Sequence, residues 1–407
     1  MSAEKNNMED RIVVTGIGIV SPIGIGKDIF WDSLKNGKSG ISEVSAFDTS
    51  QHQTHVGGEV KDFDPQKFPN NRRNKYFGRA SQMALASAYL ALEDSKIKKE
   101  ELENINASVF MGTTMGEIQS MEKLDQEWIK SGESEINNFS VYQTFAYNIS
   151  SSIALEFNLS GENRIYTTAC SSGNYAIAYG CDLLKSGKTD LVFAGGSDAM
   201  SWISFTGFNK VNAAAPEKCQ PFDKNRKGMI PAEGAAVLIL ETVERATKRG
   251  AKIYAEILGS GFSCDAHHMT QPNAEGITKC MSNALKSSRI SPDEVDYICA
   301  HGTGTPLNDK AESLSIKNVF GDRKVPTSSI KSMIGHTMGA ASAIAAAGCC
   351  LALGEGIMPP TINFEQADPE CDIDCIPNEA RKKDLNIVLN NGLAFGGNNA
   401  SLVLKKY

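Results

Sequence analysis

Short apolar runs alternate along the chain with longer stretches in which apolar residues recur at helical spacing. Runs at residues 11–19, 107–114, 191–196 and 235–241 are rich in apolar, mostly branched side chains and end in glycine or charge. Such runs predict β-strands that are buried on both faces. Residues 79–95 place their apolar side chains on one helical face and predict a helix. The alternation of strands and helices indicates a layered α/β fold.

The second part of the chain repeats this alternation. Its predicted strands span residues 252–258, 295–300, 386–390 and 400–404, and its predicted helices span 277–287 and 339–354. A glycine-rich stretch at 259–261 is expected to end the first of these strands. We therefore divide the chain into a flexible N-terminal tail at 1–10, a first α/β half at 11–250 and a second at 251–407.

The composition excludes several classes of protein. The chain has 407 residues, of which 41% are hydrophobic and 22% are charged, as in an ordinary globular protein. The formal net charge of -7 argues against extensive nucleic-acid binding. We find no membrane-spanning apolar run, no signal peptide and no zinc-like spacing among the ten cysteines. We expect a cytoplasmic protein that binds no metal, no nucleic acid and no membrane.

Cys170 is the first candidate for chemistry. It stands in the run Thr-Thr-Ala-Cys-Ser-Ser-Gly, directly before a predicted helix at 174–185. Unpaired backbone N–H groups and the helix dipole favour a thiolate at such a position. The small neighbouring residues leave room for an acyl group to approach the sulfur. A lone cysteine at a helix start is usually inert, so further residues must support this interpretation.

Two histidines supply that support. His301 follows a predicted strand in the run Ala-His-Gly-Thr-Gly-Thr, and His336 ends the run Lys-Ser-Met-Ile-Gly-His before an alanine-rich helix. Open α/β sheets place their functional sites at such strand ends and helix starts. The glycines at residues 16–26 do not match the G-x-G-x-x-G pattern, and Pro22 interrupts them. We therefore do not expect a nucleotide site there.

Four motifs in one order give the chain a family resemblance. They are Thr-Thr-Ala-Cys-Ser-Ser-Gly at 167–173, His-Gly-Thr-Gly-Thr-Pro-Leu-Asn-Asp at 301–309, Lys-Ser-Met-Ile-Gly-His at 331–336 and Phe-Gly-Gly-Asn-Asn-Ala-Ser at 395–401. Together they resemble elongating type II β-ketoacyl-acyl-carrier-protein synthases, including the ketosynthase subunits of type II polyketide synthases. The resemblance implies a thiolase-like fold, with two similar α/β halves in a five-layered αβαβα core, and a dimer.

The resemblance also implies a reaction, a decarboxylative Claisen condensation of malonyl-acyl-carrier-protein with an acyl chain held on Cys170. A thiolate can hold the acyl group, and donors close to the malonyl thioester oxygen can stabilise the enolate that decarboxylation leaves. Neutral His301 and His336 are the candidate donors, and the helix after His336 would help to keep it neutral. No cofactor is expected, because phosphopantetheine on the carrier protein holds the substrates.

Further residues receive roles from the resemblance. The backbone N–H groups of Cys170 and Phe395 would form the oxyanion hole, the Phe395 side chain would gate access, and Lys331 would complete the catalytic set. The substrate-binding and supporting residues that the resemblance implies are Thr303 and Thr305 for the pantetheine arm, Met115 and Phe208 for the acyl pocket, and Asp309 and Glu312 as structural support. One of these two carboxylates is expected to pair with Lys331 if the lysine is buried.

An acidic enzyme that binds an acidic carrier protein needs a local basic patch. The densest cationic cluster comprises Lys67, Arg72, Arg73 and Lys75, followed by Arg79, and its place resembles the family's docking region. A solvated charged face is the alternative. The pair at 267–268, His-His, lies in a segment that resembles the family's substrate-channel loop, where we expect a role in loop structure rather than substrate contact.

Several positions depart from the family pattern but leave the Cys-His-His set intact. They are Gln220, Ala232, Asn212 and Leu393. Similar departures occur in polyketide and polyene pathways, which we favour slightly over fatty-acid synthesis. Three alternatives stay open: a subunit that is active only in a heterodimer with a chain-length-factor-like homologue, a non-catalytic subunit of that kind, and a thiolase or initiating synthase. Cys170 argues against the second alternative, and the histidine pair argues against the third.

Overall fold

The computed structural model describes residues 11–68, 74–133 and 136–407. The predicted tail at 1–10 and the docking candidates Arg72 and Arg73 lie outside these residues.

The strands are β1 (Ile12–Ser21), β2 (Gly24–Ile25), β3 (Ser42–Glu43), β4 (Val56–Gly57), β5 (Ala107–Gly112), β6 (Asn163–Tyr166), β7 (Leu191–Asp198), β8 (Gly234–Thr242), β9 (Ala255–Cys264), β10 (Tyr297–Cys299), β11 (Pro326–Ser328), β12 (Ile357–Met358), β13 (Asp374–Cys375), β14 (Arg381–Lys382), β15 (Ile387–Gly392) and β16 (Asn398–Lys405). The α-helices are α1 (Lys27–Lys35), α2 (Arg79–Ser95), α3 (Ile118–Ser131), α4 (Asn138–Tyr142), α5 (Asn148–Phe157), α6 (Ser172–Lys185), α7 (Trp202–Lys210), α8 (Val243–Lys248), α9 (Ala274–Ser288), α10 (Pro306–Phe320), α11 (Lys331–Ile334) and α12 (Ala341–Glu355).

Two sets of five strands share one topology. The order is β6-β5-β7-β8-β1 in the first half and β11-β10-β15-β16-β9 in the second. In each set the first three strands named are parallel, and the other two pairings are antiparallel. The sets join where residues 12–14 of β1 pair with residues 255–257 of β9. The predicted repeat of two similar α/β halves is therefore present.

The helices complete five layers. Helices α6 and α12 lie between the two strand sets and contact both of them. Helices α2 and α5 cover the outer face of the first set, while α9 covers that of the second set and packs against α10. This arrangement confirms the predicted αβαβα core.

The helical stretch Met338–Glu355 is long and apolar enough to cross a membrane by composition alone. However, 89% of it is buried inside the protein. Its apolar character is explained by its position in the central layer, where both sides of α12 face protein. It is therefore a core helix, and the described residues contain no other stretch of this kind.

Small residues allow the central layer to pack closely. A Cβ atom on Gly173 in α6 would lie 2.7 Å from the backbone nitrogen of Ala343 in α12. A Cβ atom on Gly112, at the end of β5, would lie 2.4 Å from the carbonyl carbon of Ser172. Side chains at these positions would push the two helices and the strand apart. The small residues around Cys170 therefore serve packing as well as access to the sulfur.

Buried amides connect the two halves behind this contact. The Nδ2 of Asn174 in α6 donates hydrogen bonds to the carbonyl oxygens of Asn390 at 3.2 Å and Ala400 at 3.0 Å. The Nδ2 of Asn390 returns a hydrogen bond to the Oδ1 of Asn174 at 2.9 Å. Because these groups are fully buried, each hydrogen bond that breaks would leave an unpaired polar group.

The predicted elements differ from the structure at several places. The strand expected at 252–258 continues through Gly259 and Gly261 to Cys264 as β9. A Cβ atom on Gly261 would lie 2.2 Å from the backbone nitrogen of Ala284 in α9, so this glycine permits close helix packing and does not form a turn. Helices α1, α3, α4, α5, α7, α8 and α11 were not predicted. Nor were the bounds of α10, although Thr305 and Pro306 give this helix a recognisable start.

We expect Gly173→Ala to destabilise the protein by roughly 1–3 kcal/mol, because the added methyl group overpacks the contact between α6 and α12. A lowered midpoint of thermal unfolding, measured by calorimetry, would show this. Gly354→Ala in α12 is the matched control, since nothing lies within 4 Å of its Cβ position. Equal midpoints for the two variants would contradict the close-packing interpretation.

Candidate active site

Cys170 lies in a short 3-10 turn, Ala169–Ser171, that connects β6 to α6. Ala169 has a φ of 50°, a left-handed conformation that non-glycine residues seldom adopt. The turn brings Cys170 to the start of the helix, as the sequence predicted. The cysteine is only 7% exposed.

Both predicted histidines meet Cys170. His301 follows β10, and His336 lies between α11 and a second 3-10 turn, Met338–Ala340. The sulfur of Cys170 and a ring nitrogen of each histidine lie within 4.8 Å of one another. The two imidazole rings meet edge to face, with centroids 5.3 Å apart. Three distant parts of the chain thus form one buried site.

Both imidazoles are neutral at physiological pH. Burial lowers the pKa of His301 and of His336 well below the usual range, and the positive charge of Lys331 lowers both further. His336 does not begin the alanine-rich helix as predicted, because a turn separates it from α12. Its neutral form follows mainly from burial rather than from a helix dipole.

A backbone hydrogen bond sets the tautomer of His336. The N–H group of Met338 donates to Nδ1 of His336 at 3.1 Å. Since Nδ1 accepts this hydrogen bond, the ring proton of neutral His336 is on Nε2. A metal-bound histidine instead donates a proton from the nitrogen that does not bind the metal. Cys170, His301 and His336 have the spacing of a metal site, but His336 does not fit as a ligand.

Burial opposes ionisation of Cys170. It raises the pKa of the thiol to about 11, although Lys331 and the backbone N–H groups of Cys170 and Phe395 act in the opposite direction. The expected resting thiolate is therefore not supported, and the thiol carries its proton in the free protein. The two N–H groups that face the sulfur are the ones predicted to form an oxyanion hole.

Lys331 is fully buried but has a different partner from the one predicted. Its Nζ donates to the carbonyl oxygen of His301 at 2.6 Å, and in the described part of the chain neither Asp309 nor Glu312 forms an ion pair with it. Glu312 instead accepts from the backbone N–H groups of His301 and Gly302, each at 2.8 Å. Glu312 therefore holds the loop that carries His301, and its negative charge reaches Lys331 at longer range.

Asp309 supports the same loop from α10. Its carboxylate accepts hydrogen bonds from the backbone N–H groups of Phe222 at 2.7 Å and Gly304 at 3.2 Å. The hydroxyl groups of Thr303 and Thr305 lie 2.9 Å apart, and both residues line the cavity in front of Cys170. The loop from His301 to Thr305 is thus fixed by two buried carboxylates.

A cavity of about 330 Å³ opens onto this site. The predicted site residues that line it are Cys170, Phe208, His301, Thr303, Thr305, His336 and Phe395. Met115 does not line this cavity, although it was expected at the acyl pocket. His268 lines it, whereas His267 does not, so the predicted loop brings one of its two histidines to the site.

Phe395 lines the cavity and is partly accessible to solvent. The residue is 39% exposed, and its ring centroid lies 6.3 Å from that of Phe208, while its role as a gate stays a prediction. Gly396 and Gly397 follow with left-handed φ values of 79° and 78°, which glycine adopts readily. The Gly396 N–H donates to the carbonyl oxygen of Met269 at 2.8 Å. The turn therefore ties Phe395 to the loop on the other side of the cavity.

The predicted docking cluster is only partly described. Lys67 and Lys75 are exposed, and the Nζ of Lys75 lies 4.2 Å from the centroid of the Phe139 ring. Arg79 does not belong to this exposed surface, because it forms an ion pair with buried Glu233 at 2.6 Å. The docking function of the lysines stays a prediction.

Asp198 is a polar residue near the site that was not among the predicted site residues. Asp198 ends β7 and is fully buried, and its carboxylate accepts four hydrogen bonds from the surrounding loops. In the sequence it follows Gly-Gly-Ser after an apolar run, which places it at a strand end. A polar residue at a strand end could have been selected as a candidate site residue. The hydrogen-bond partners of Asp198 are distant in the chain, however, and the local sequence does not reveal them.

The fold and the site together define a condensing enzyme. Residues 9–246 match the family model "Beta-ketoacyl synthase, N-terminal domain", and residues 254–365 match "Beta-ketoacyl synthase, C-terminal domain". The chain belongs to the β-ketoacyl synthase family, whose members are acyltransferases. The resemblance inferred from four motifs is therefore confirmed.

Individual relatives cover nearly the whole chain. It is 39% identical to 3-oxoacyl-[acyl-carrier-protein] synthase 2 of Coxiella burnetii, over 97% of this chain and 98% of that protein. It is 36% identical to the tetracenomycin polyketide synthase ketoacyl synthase alpha subunit of Streptomyces glaucescens, over 98% of this chain and 97% of that protein. The solved structure of the ishigamide ketosynthase/chain length factor superposes with a TM-score of 0.95 and 41% identity, covering 98% of this chain and 99% of that chain.

The raised pKa of Cys170 predicts how its reactivity depends on pH. Because the thiolate is the reactive form, the rate of alkylation at Cys170 should rise about tenfold per pH unit from pH 7 to 9.5. Iodoacetamide labelling followed by peptide mass spectrometry measures this rate, with Cys170→Ala giving the background. A plateau below pH 8 would show that Lys331 and the backbone N–H groups outweigh burial.

Proposed function

We propose that the chain is a β-ketoacyl-acyl-carrier-protein synthase that performs a decarboxylative Claisen condensation. The observation that carries the proposal is the buried meeting of Cys170 with two neutral imidazoles. A nucleophile and two uncharged hydrogen-bonding rings suit a reaction that forms an acyl-enzyme and then an enolate. The family membership and the full-length relatives support the same reaction class.

In the first half-reaction, the sulfur of Cys170 attacks the carbonyl carbon of an acyl thioester. The bond from that carbon to the carrier thiol breaks, and the thiol proton of Cys170 ends on the departing pantetheine sulfur. The backbone N–H groups of Cys170 and Phe395 stabilise the oxyanion, since both already face the sulfur. Because the resting thiol is protonated, its ionisation is coupled to the arrival of the acyl group.

In the second half-reaction, a malonyl thioester enters the cavity beside the acyl-cysteine. Its carboxylate leaves as CO2, and the electron pair of the broken carbon–carbon bond forms an enolate. The Nε2–H of His336 donates to the enolate oxygen, and His301 supplies the second donor. Neutral rings suit this role because they carry a donor proton and need not exchange it.

The enolate carbon then attacks the carbonyl carbon of the acyl-cysteine. The carbon–sulfur bond to Cys170 breaks, the sulfur takes up one proton from solvent, and a β-ketoacyl thioester remains on the carrier. Lys331 holds the His301 loop through the His301 carbonyl oxygen and adds positive charge near the developing anions. The proposal includes no resident metal or redox cofactor, because each step uses groups of the chain and of its substrates.

The substrate carrier is proposed to be an acyl carrier protein. A type II polyketide synthase carrier protein has been solved in complex with its ketosynthase, and that structure superposes on this chain with a TM-score of 0.91 and 30% identity, covering 98% of this chain and 99% of that chain. Exposed Lys67 and Lys75, with Arg72 and Arg73 between them in the sequence, provide positive charge for such a partner. All ten cysteines are free, which suits a cytoplasmic enzyme.

We favour a polyketide or polyene pathway slightly over fatty-acid synthesis. The relatives include both kinds of enzyme, and one solved neighbour is a ketosynthase/chain length factor. We therefore propose a dimer, in which the partner is either a second copy or a chain-length-factor-like homologue. The histidine pair continues to argue against a thiolase or an initiating synthase.

Two substitutions test the reaction. Cys170→Ala should abolish the covalent acyl-enzyme seen by intact mass, because it removes the only sulfur proposed to hold the chain. His336→Ala should slow the conversion of malonyl- to acetyl-carrier protein by roughly 10²–10³-fold, because it removes an enolate donor. Acylation of Cys170 in His336→Ala should change much less.

Cys264→Ala is the matched control, since Cys264 is an exposed cysteine. It should keep both half-reactions. Covalent acylation of Cys170→Ala would show that the nucleophile is misassigned. Equal losses of acylation and decarboxylation in His336→Ala would contradict the separate role of that histidine.

The docking proposal predicts a selective change in affinity. The double change Arg72→Glu and Arg73→Glu should raise KM for carrier-protein substrates by roughly tenfold and leave small thioester analogues nearly unaffected. Steady-state kinetics with both substrate classes measures this difference. The control is Lys248→Glu with Lys252→Glu, which makes the same charge change beyond Thr242, the end of β8 that is remote from the Asp198–Gly234 pair. Equal losses on both substrate classes would overturn the docking role.

A further inference from the structure

The turn that carries Cys170 has a counterpart in the second half. Ala169 and Met338 have φ values of 50° and 51°, and each begins a 3-10 turn that leads into a buried central helix. In these two turns Gly339 occupies the place of Cys170. The duplicated topology therefore extends to the backbone of the active-site turn, while the nucleophile is present in one copy.

The equivalent backbone N–H groups have different partners. The N–H of Cys170 faces its own sulfur, where the acyl group would be attached. The N–H of Gly339 donates to Oδ2 of Asp198 at 2.6 Å. In the first turn, the N–H of Cys170 would bind a substrate oxygen. In the second turn, the equivalent N–H binds an oxygen of the Asp198 carboxylate instead.

Asp198 is held by three further donors. Its Oδ1 accepts from the hydroxyl of Thr113 at 2.7 Å and the N–H of Met115 at 2.9 Å, and its Oδ2 accepts from the N–H of Thr114 at 2.7 Å. Each oxygen therefore receives two hydrogen bonds, and the whole side chain is buried. The carboxylate connects the loop after β5 to the turn in the second half.

That turn sets the proton position on His336. The N–H of Met338, next to that of Gly339, donates to Nδ1 of His336 at 3.1 Å. A Cβ atom on Gly339 would lie 2.5 Å from the backbone of Thr113, so the turn fits tightly against the loop that Asp198 also holds. A change at Asp198 would therefore reach His336 through a single turn of backbone.

We propose that Asp198 is a positioning residue, which holds the Met338–Ala340 turn. The turn keeps the ring proton of His336 on Nε2, and this Nε2–H donates a hydrogen bond to the malonyl enolate oxygen. This role rests on the proposed condensation. In that reaction Asp198 contacts neither substrate nor Cys170, and it acts on His336 through the turn. Its negative charge also raises the pKa of the Cys170 thiol at longer range. Loss of Asp198 should therefore affect decarboxylation more than acyl transfer.

Asp198→Asn tests the role with almost unchanged shape. One carboxylate oxygen becomes an NH2 group, which cannot accept the two hydrogen bonds that this oxygen received. Conversion of malonyl- to acetyl-carrier protein should fall at least ~10-fold. Acylation of Cys170 from an acyl-carrier protein should not fall by more than about threefold, because removal of the Asp198 charge removes one of the causes that raise the pKa of Cys170. Both rates are followed by intact mass spectrometry on the full-length protein.

Asp223→Asn is the matched control. Asp223 is likewise buried and accepts from backbone N–H groups, those of Glu365 and Gln366, but it has no link to the His336 turn. It should alter both half-reactions in equal proportion, if at all. If Asp198→Asn does not fold, Asp198→Glu, which keeps the carboxylate but displaces it, should show the same selective loss to a smaller extent.

Two outcomes would overturn the proposal, and they differ from a failure of the proposed function. Equal losses of acylation and decarboxylation in a folded Asp198 variant would show a merely structural role, and unchanged decarboxylation would show no role. A wild-type protein that performs neither half-reaction would instead contradict the condensation itself.

Discussion

The contact between α6 and α12 is the constraint on which the rest of the structure depends. Gly173 lets the two helices approach, and Asn174 exchanges hydrogen bonds with Asn390 behind them. Since α6 follows Cys170 and α12 follows the His336 turn, the spacing of the helices also sets the distance between these two side chains. A looser central layer would keep the fold but separate sulfur from imidazole, and proximity contributes strongly to catalysis.

Burial of the site has opposite consequences for its groups. It keeps both histidines neutral, which suits hydrogen-bond donation to an enolate. The same burial raises the pKa of Cys170 to about 11, which works against a free thiolate. Lys331 reconciles these requirements in part, because its charge disfavours protonated histidine and favours an anionic sulfur. A dry site therefore suits the decarboxylation directly, whereas acylation needs the oxyanion donors and the coupled loss of a proton.

Local patterns in the sequence were sufficient for the frame of the fold and for the residues that meet at the candidate site. Apolar runs placed β1, β7 and β8 correctly, and motif order pointed to Cys170, His301 and His336, which the structure brings together. Three of the failures share one physical cause, which is dependence on contacts between distant segments. Gly261 permits helix packing, Lys331 pairs with a carbonyl oxygen, and Asp198 gathers donors from both halves. None of these partners is visible in a local sequence window.

The duplicated topology explains why one active site draws on both halves. In each half, the strands that are mutually parallel end on the same side. Residues at or after the ends of β5, β6 and β7 meet residues that follow β10 and β11 at the site. Two equivalent sites would compete for this space. The first turn carries Cys170, and the equivalent residue of the second turn is Gly339. The N–H of Gly339 binds the carboxylate of Asp198. The second half is thereby free to supply the histidines, so the symmetry of the backbone supports an asymmetric reaction centre.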